Sequence, residues 1–194
     1  RDVGSLRIPY PQPHIQSEVA RVLDVVDLAI ERTRVAVEKA RRLKQGLVEE
    51  RFAATRGRVA KLGEFVSDIR YGTSQASNEN HWGYPTLRIP NIIGGCVNTD
   101  DLTYVDAPLR DAERFLIKNG DLLLVRTNGN PDYIGRSAVF ESPDGRRWLF
   151  ASYLIRVRFD DRLIPRFVDE YLKSDNGRRE LLRRVTTSAG NHNI

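Results

Sequence analysis

The feature that most constrains this chain is an apolar seam at heptad spacing from about Pro13 to Thr55. One heptad position holds Val19, Val26, Thr33, Ala40 and Leu47, and the other holds Val22, Ala29, Ala36 and Leu43. Leu23, Ile30 and Val37 widen the stripe, while Arg21, Asp24, Glu31, Arg34, Glu38, Arg41 and Arg42 fill the remaining face. Pro13 suits a first helical position, and Gly57 lies just past the expected end. Roughly 40 residues at 1.5 Å each make a rod of about 60 Å. Such a rod cannot bury its seam against itself, and nothing else in the sequence reads as a helix of that length. The seam therefore needs a second long helix. Val19, Val22, Val26, Ile30, Thr33, Val37, Ala40, Leu43 and Leu47 are its expected pairing positions.

Three segments follow from this reading: an extended tether over 1–12, the long helix over 13–56, and a single domain over 57–194. The expected fold is α+β, a long N-terminal helix followed by a mixed α/β domain. The only cysteine, Cys96, precludes an internal disulfide and suits a reducing compartment. With no transmembrane-length apolar run and no signal-peptide pattern, a cytoplasmic location and no membrane partner are expected. The sequence begins at Arg1 and lacks methionine, so we expect a segment of a longer product or a trimmed one. Net charge is +5, carried by 26 arginines against 5 lysines. Guanidinium groups fork onto phosphates and guanine edges as lysine cannot. A GC-rich genome produces the same bias, so composition alone supports polyanion binding and no more.

Along the chain, Leu6 and Ile8 alternate with Arg7 as in a short strand before the prolines intervene. Glu38 and Arg42 are a favourable i,i+4 pair, and Gly46 is a weak point of the helix. Beyond Gly57, Val59 to Ile69 reads as a strand and a helical turn, and Tyr71 to Gln75 as a loop. Thr86 to Ile89, Leu102 to Val105 and Leu122 to Val125 read as strands, and Asp111 to Ile117 as a short helix. Ser137 to Phe140 and Trp148 to Phe159 read as paired strands around a turn at Pro143-Asp144-Gly145. Tyr153, Ile155, Val157 and Phe159 alternate there with Arg156 and Arg158. Pro165 to Ser174 and Arg178 to Val185 read as amphipathic helices separated by Gly177, and Thr186 to Ile194 as a polar tail.

Catalytic motifs are weak. Asn130-Pro131-Asp132-Tyr133 resembles the Asn-Pro-Pro-Tyr element of amino-methyltransferases, but its third residue is wrong and no glycine-rich cofactor loop precedes it. His192 between asparagines hints at an HNH nuclease without a second histidine at useful spacing. His81, Cys96 and His192 lack metal-site spacing. We expect no catalytic residue, no metal and no cofactor bound by this chain. The loops are more informative. Arg88 and Asn91 stand at a strand end, and Arg126-Thr127-Asn128-Gly129-Asn130 follows a buried strand directly. Arg, Asn, Gln and Thr read base edges and grip phosphates. The same asparagines and glycines also serve as plain turn formers, and both readings stand at this point.

Several stretches, in order, resemble the specificity subunit of type I restriction–modification enzymes. They are Ile8-Pro9 through Pro13 leading into the helix with Leu43-Lys44-Gln45-Gly46-Leu47, Leu62-Gly63-Glu64 with Tyr71-Gly72-Thr73-Ser74, and Leu87 to Ile92. Gly120 to Pro131 (GDLLLVRTNGNP) is the most specific, and Gly190 to Ile194 closes the set. The resemblance implies a target recognition domain behind a coiled-coil spacer helix, reading one half of a split DNA sequence. Its implied partners are double-stranded DNA, methyltransferase subunits that carry the S-adenosylmethionine, and a restriction translocase subunit. A full subunit has two such helices and two such domains. The chain is thus expected to be a half lacking its last helix, or a half-length permuted form able to pair with itself. The expected DNA-binding face is Arg70, Tyr71, Thr73, Ser74, Gln75, Arg88 and Asn91, with Arg126, Asn128, Asn130, Tyr133 and Arg136, and Asn191, His192 and Asn193. Two other functions compete with it: a small methyltransferase or nuclease, and a non-catalytic coiled-coil scaffold module without DNA sequence preference.

Overall fold

Pro13 opens and Ala54 closes one unbroken helix, α1 (Pro13–Ala54), matching the apolar seam almost end to end. The computed structural model describes the chain except Arg1, Asp2, Arg56 and Ala189 and the side chain of Ser188. The expected tether and helix boundaries at residues 1, 2 and 56 thus lie outside the described residues. Two compact units result, Arg1–Leu47 and Val48–Ile194. In the first, the strand-like reading of Leu6 and Ile8 gives way to a 3-10 turn at Val3–Ser5 followed by irregular chain. No residue of α1 is buried, and Val19, Val26 and Leu43 of the seam are 53%, 49% and 62% exposed. Arg42 donates to Glu38 at 2.6 Å, as the i,i+4 spacing predicts. Thr33, the polar member of the seam, returns its hydroxyl to the Ala29 carbonyl at 2.9 Å.

The second unit takes in the last turns of α1. A 3-10 turn at Leu62–Phe65 leads to β1 (Val66–Tyr71), then β2 (Tyr84–Leu87), the small hairpin β3 (Ile92–Ile93) and β4 (Cys96–Val97), and β5 (Thr103–Val105). The short helix α2 (Leu109–Ala112) runs into a 3-10 turn, and β6 (Leu122–Val125), β7 (Thr127–Asn128) and β8 (Ser137–Val139) follow. Next come β9 (Leu149–Phe150), β10 (Leu154–Phe159), α3 (Pro165–Lys173), α4 (Asp175–Leu182), β11 (Thr186–Ser188) and β12 (Asn191–Asn193).

The central sheet is antiparallel, in the order β1-β10-β6-β8. This corrects the expected pairing of Ser137–Phe140 with Trp148–Phe159: β8 pairs with β6 instead. The expected single strand 148–159 breaks at a turn, and its first part, β9, runs parallel to β2. β6 is buried on both faces because both are covered. Leu123 and Val125 join Leu154, Leu87, Trp148 and Phe150 in one core. Leu122 and Leu124 join Ile155, Val157, Val168 and Leu181 in the other, under α3 and α4.

That double cover explains a second departure. Arg156 alternates with apolar residues as on a solvated face, yet it is 1% exposed and pairs with Asp68. Its guanidinium also donates to the Leu116 carbonyl at 2.5 Å, while Arg158 grips Asp121 at 2.7 and 2.9 Å. Gly177 lies inside α4 rather than between the helices; a Cβ there would sit 1.9 Å from the Tyr171 carbonyl. The polar tail forms the antiparallel pair β11–β12, whose second strand pairs with β7.

Candidate nucleic-acid interface

Antiparallel order decides which loops meet. β1 ends at Tyr71, opposite Ile155 near the start of β10; Leu154 faces Val125, the end of β6; and Leu124 faces Ser137, the start of β8. The loops following β1 and β6, and that preceding β10, therefore leave the same end of the sheet. β12 adds a further strand beside β7, with His192 opposite Asn128 and Asn193 opposite Thr127. Three stretches scattered through the sequence, 71–75, 126–136 and 191–193, thus converge.

Arg126 is the hinge of the arrangement. Its backbone N–H donates to the Tyr153 carbonyl at 2.9 Å, and its own carbonyl accepts from Ile194 at 3.1 Å. Its guanidinium lies over the Tyr71 ring at 4.8 Å, a cation–π contact that fixes the plane of the group. Arg136 repeats the device over Tyr133 at 3.7 Å and donates from Nε to the Asp132 carbonyl. Arg178 of α4, which the sequence reading missed, holds this loop from beneath. It donates to the carbonyls of Ile134 and Pro131. Burial lowers its guanidinium pKa, Asp132 opposes that and Arg136 adds to it. The loop is preorganised rather than loose.

The asparagines divide. Asn128 Oδ1 accepts from the Asn130 N–H at 2.8 Å, and Asn130 Oδ1 accepts from Asp132 at 2.9 Å. Those oxygens set turn geometry, as the turn-former reading holds, and leave the amide nitrogens as donors. Asn91 is a correction. It is 1% exposed, its oxygen accepts from the Arg88 N–H at 2.7 Å, and its nitrogen donates to the Asn98 and Asp101 carbonyls at 3.0 and 2.8 Å. With those contacts made it staples a turn and has nothing to offer DNA. Thr73 is buried too, its hydroxyl accepting from the Gln75 N–H at 3.1 Å. Gly72 before it packs so closely that a Cβ would meet the Phe150 carbonyl at 2.2 Å. Arg70 turns back along β1 to Asp68 at 3.0 Å, away from the loops. Ser74 and Gln75 remain exposed. His192 meets the Thr187 hydroxyl at 3.3 Å, and the Asn193 amide donates to the Asn191 carbonyl at 3.2 Å.

Beside this face runs a groove of about 380 Å³, within the range that takes small ligands. Its wall includes Ser152 and Tyr153, in the turn that splits the expected strand 148–159. The sequence signal for that turn was the pair of small residues Ala151-Ser152 after an apolar run. Among the described residues no three His, Cys, Asp or Glu side chains gather as metal ligands would, and no helix is long and apolar enough to cross a membrane.

No family model matches the sequence. The chain is 26% identical over 129 residues to the type I restriction enzyme EcoKI specificity subunit of Escherichia coli K12, covering 66% of this chain and 28% of that one. It is 22% identical, over an alignment of 206 residues, to the StySPI specificity subunit of Salmonella potsdam, covering 97% of this chain and 44% of that one. The chain thus spans less than half the length of these relatives. The solved HsdS subunit from Thermoanaerobacter tengcongensis superposes with a TM-score of 0.49 at 17% identity, covering 93% of this chain and 45% of that chain.

Proposed function

From the relationship of this chain to the specificity subunits of type I restriction enzymes, we propose that it recognises one half of a bipartite DNA target. The observation that carries this reading is the convergence of 71–75, 126–136 and 191–193 at one end of the central sheet. Arg126 stacked on Tyr71 is its centre. A planar, oriented guanidinium on a rigid strand end suits a base edge in the major groove. Ser74, Gln75, Asn128, Asn130, Tyr133, Arg136 and 191–193 flank it. The seam of α1 serves as spacer, pairing with a second long helix, either in a further segment or in a second copy of this chain. Methyltransferase subunits, which bind the S-adenosylmethionine, and a restriction translocase subunit dock on that frame. This chain performs no catalysis of its own.

The test is a binding selection on randomised duplexes with wild type and Arg126→Ala in parallel. Loss of a base-reading arginine costs about 1–3 kcal/mol and relaxes one position of the motif. If the variant keeps the wild-type preference at every position, Arg126 reads no base. A second reading, a scaffold without DNA preference, draws support from Asn91, Asn128 and Asn130, whose side-chain oxygens serve the fold. It predicts binding without enrichment of any motif.

A further inference from the structure

We propose that the groove between residues 73–77, the Arg88 turn and the 151–153 turn is a subsite for a backbone phosphate of duplex DNA, with Arg88 as its cation. The proposal rests on the DNA-recognition reading and specifies which part of the nucleic acid this corner takes. Its lining is unusual in composition. Arg88 is joined by the hydroxyl side chains of Thr73, Ser74, Thr86, Thr103 and Ser152, and no carboxylate is among the lining residues. Hydroxyls, arginines and backbone N–H groups are the usual phosphate contacts. Reading a base edge needs donors and acceptors matched to one pattern, whereas one cation with hydroxyls beside it, on walls completed by Ile89, Pro90, Val105 and Ala151, suits an oxyanion of any sequence.

Two polar atoms of this lining have no partner. Arg88 Nε and Thr103 Oγ1 are both closed to water and make no hydrogen bond. Thr103 is 4% exposed and stands opposite Thr86 in the β2–β5 register, two residues from Arg88. Folding has desolvated both without compensation, a cost that an acceptor drawn into the groove recovers. The nearby Thr86 hydroxyl is already satisfied, donating to the Tyr84 carbonyl at 3.0 Å. Asp101 holds one Arg88 nitrogen at 3.2 Å, but it is 81% exposed on its side chain and so is well screened. It aims the guanidinium more than it neutralises it. Asn91, bonded to the Arg88 backbone, fixes the same turn. It is a positioning residue for this subsite.

The test uses the full chain, with affinity for a fixed duplex and for a randomised pool measured against salt. Thr103→Val removes the unpartnered hydroxyl at equal shape. Its melting temperature should hold or rise while affinity for every duplex falls by about threefold or more. Arg88→Ala should weaken all sequences alike, by roughly tenfold, and reduce the magnitude of the salt slope by about one. A changed base preference at one position in Arg88→Ala makes the groove a base reader; that overturns the proposal and leaves DNA recognition standing. Wild-type affinity in both variants overturns it as well. Failure of the wild-type chain to bind any duplex defeats the underlying reading first. Inorganic phosphate, at ionic strength matched with chloride, should displace DNA no better than chloride does. Selective displacement by phosphate would assign the groove to the free anion instead.

Discussion

Asn91 and Asn128 show at the scale of one residue why loop composition alone is ambiguous. Both are asparagines beside an arginine at a strand end, yet Asn91 is sealed inside its turn and Asn128 retains a donor. Asn91→Ala strips a buried turn of three hydrogen bonds, so a loss of about 2–3 kcal/mol is expected in denaturant unfolding. Asn128→Ala, at an exposed turn, should cost under about 1 kcal/mol. Asp68 makes a second prediction. Burial pushes its carboxyl up, but hydrogen bonds from Arg156 and Arg70 outweigh that and hold it below the usual carboxylate value of 3.8. A carboxylate depressed by folding stabilises fully above its unfolded pKa and loses that contribution as pH falls through the folded one. Asp68→Asn should therefore flatten the acid limb of a stability–pH profile below the ordinary carboxylate range. At neutral pH it should cost on the order of 3 kcal/mol, because Arg156 stays buried without its main partner. An unchanged acid limb would remove Asp68 from the account.

At the scale of the element, α1 and β6 were legible because each announces itself locally. The heptad seam marks α1, and four consecutive apolar residues bounded by turn signals mark β6. Of the strands that were missed, β3 and β4 are the two-residue arms of a small hairpin, and β7, β11 and β12 are two or three polar residues each. They exist only because they pair with one another, so no local pattern could show them. The burial of Arg156 is equally non-local: alternation marks a half-buried strand only when one face is wet, and neighbours in three dimensions decide that. The Gly177 spacing was read as a break, whereas the close crossing of α3 and α4 requires its missing Cβ. Gly177→Ala should destabilise the domain by several kcal/mol, read as a lowered midpoint without loss of helical signal from α1. Conversely, Val26→Asp with Ile30→Asp alters seam positions that bury nothing within this chain. It should leave unfolding of the domain unchanged and abolish any self-association seen by sedimentation. A lowered domain midpoint would contradict the assignment of that face to pairing.

At the scale of the whole molecule, the sequence named candidate interface residues, and the fold decides which of them stand together. Arg126, Arg136, Tyr71, Asn128 and His192 were singled out from loop chemistry and the family resemblance. Their convergence depends on sheet order and on the β11–β12 pair, which the sequence shows only as a polar tail. What Arg178 adds, a cation beneath the 126–136 loop, follows from the packing of α4 and from no sequence motif. The two features are correspondingly separate in kind: an exposed apolar seam on α1, and a sheet end that presents oriented guanidiniums and amides. The measurement that tests this division most directly is a salt-titrated selection of the full chain on randomised duplex DNA. The account predicts enrichment of one short motif of a few base pairs, or of two copies at a fixed spacer if the seam pairs two chains. Steeply salt-dependent binding with no enriched motif would leave only electrostatic affinity and contradict it.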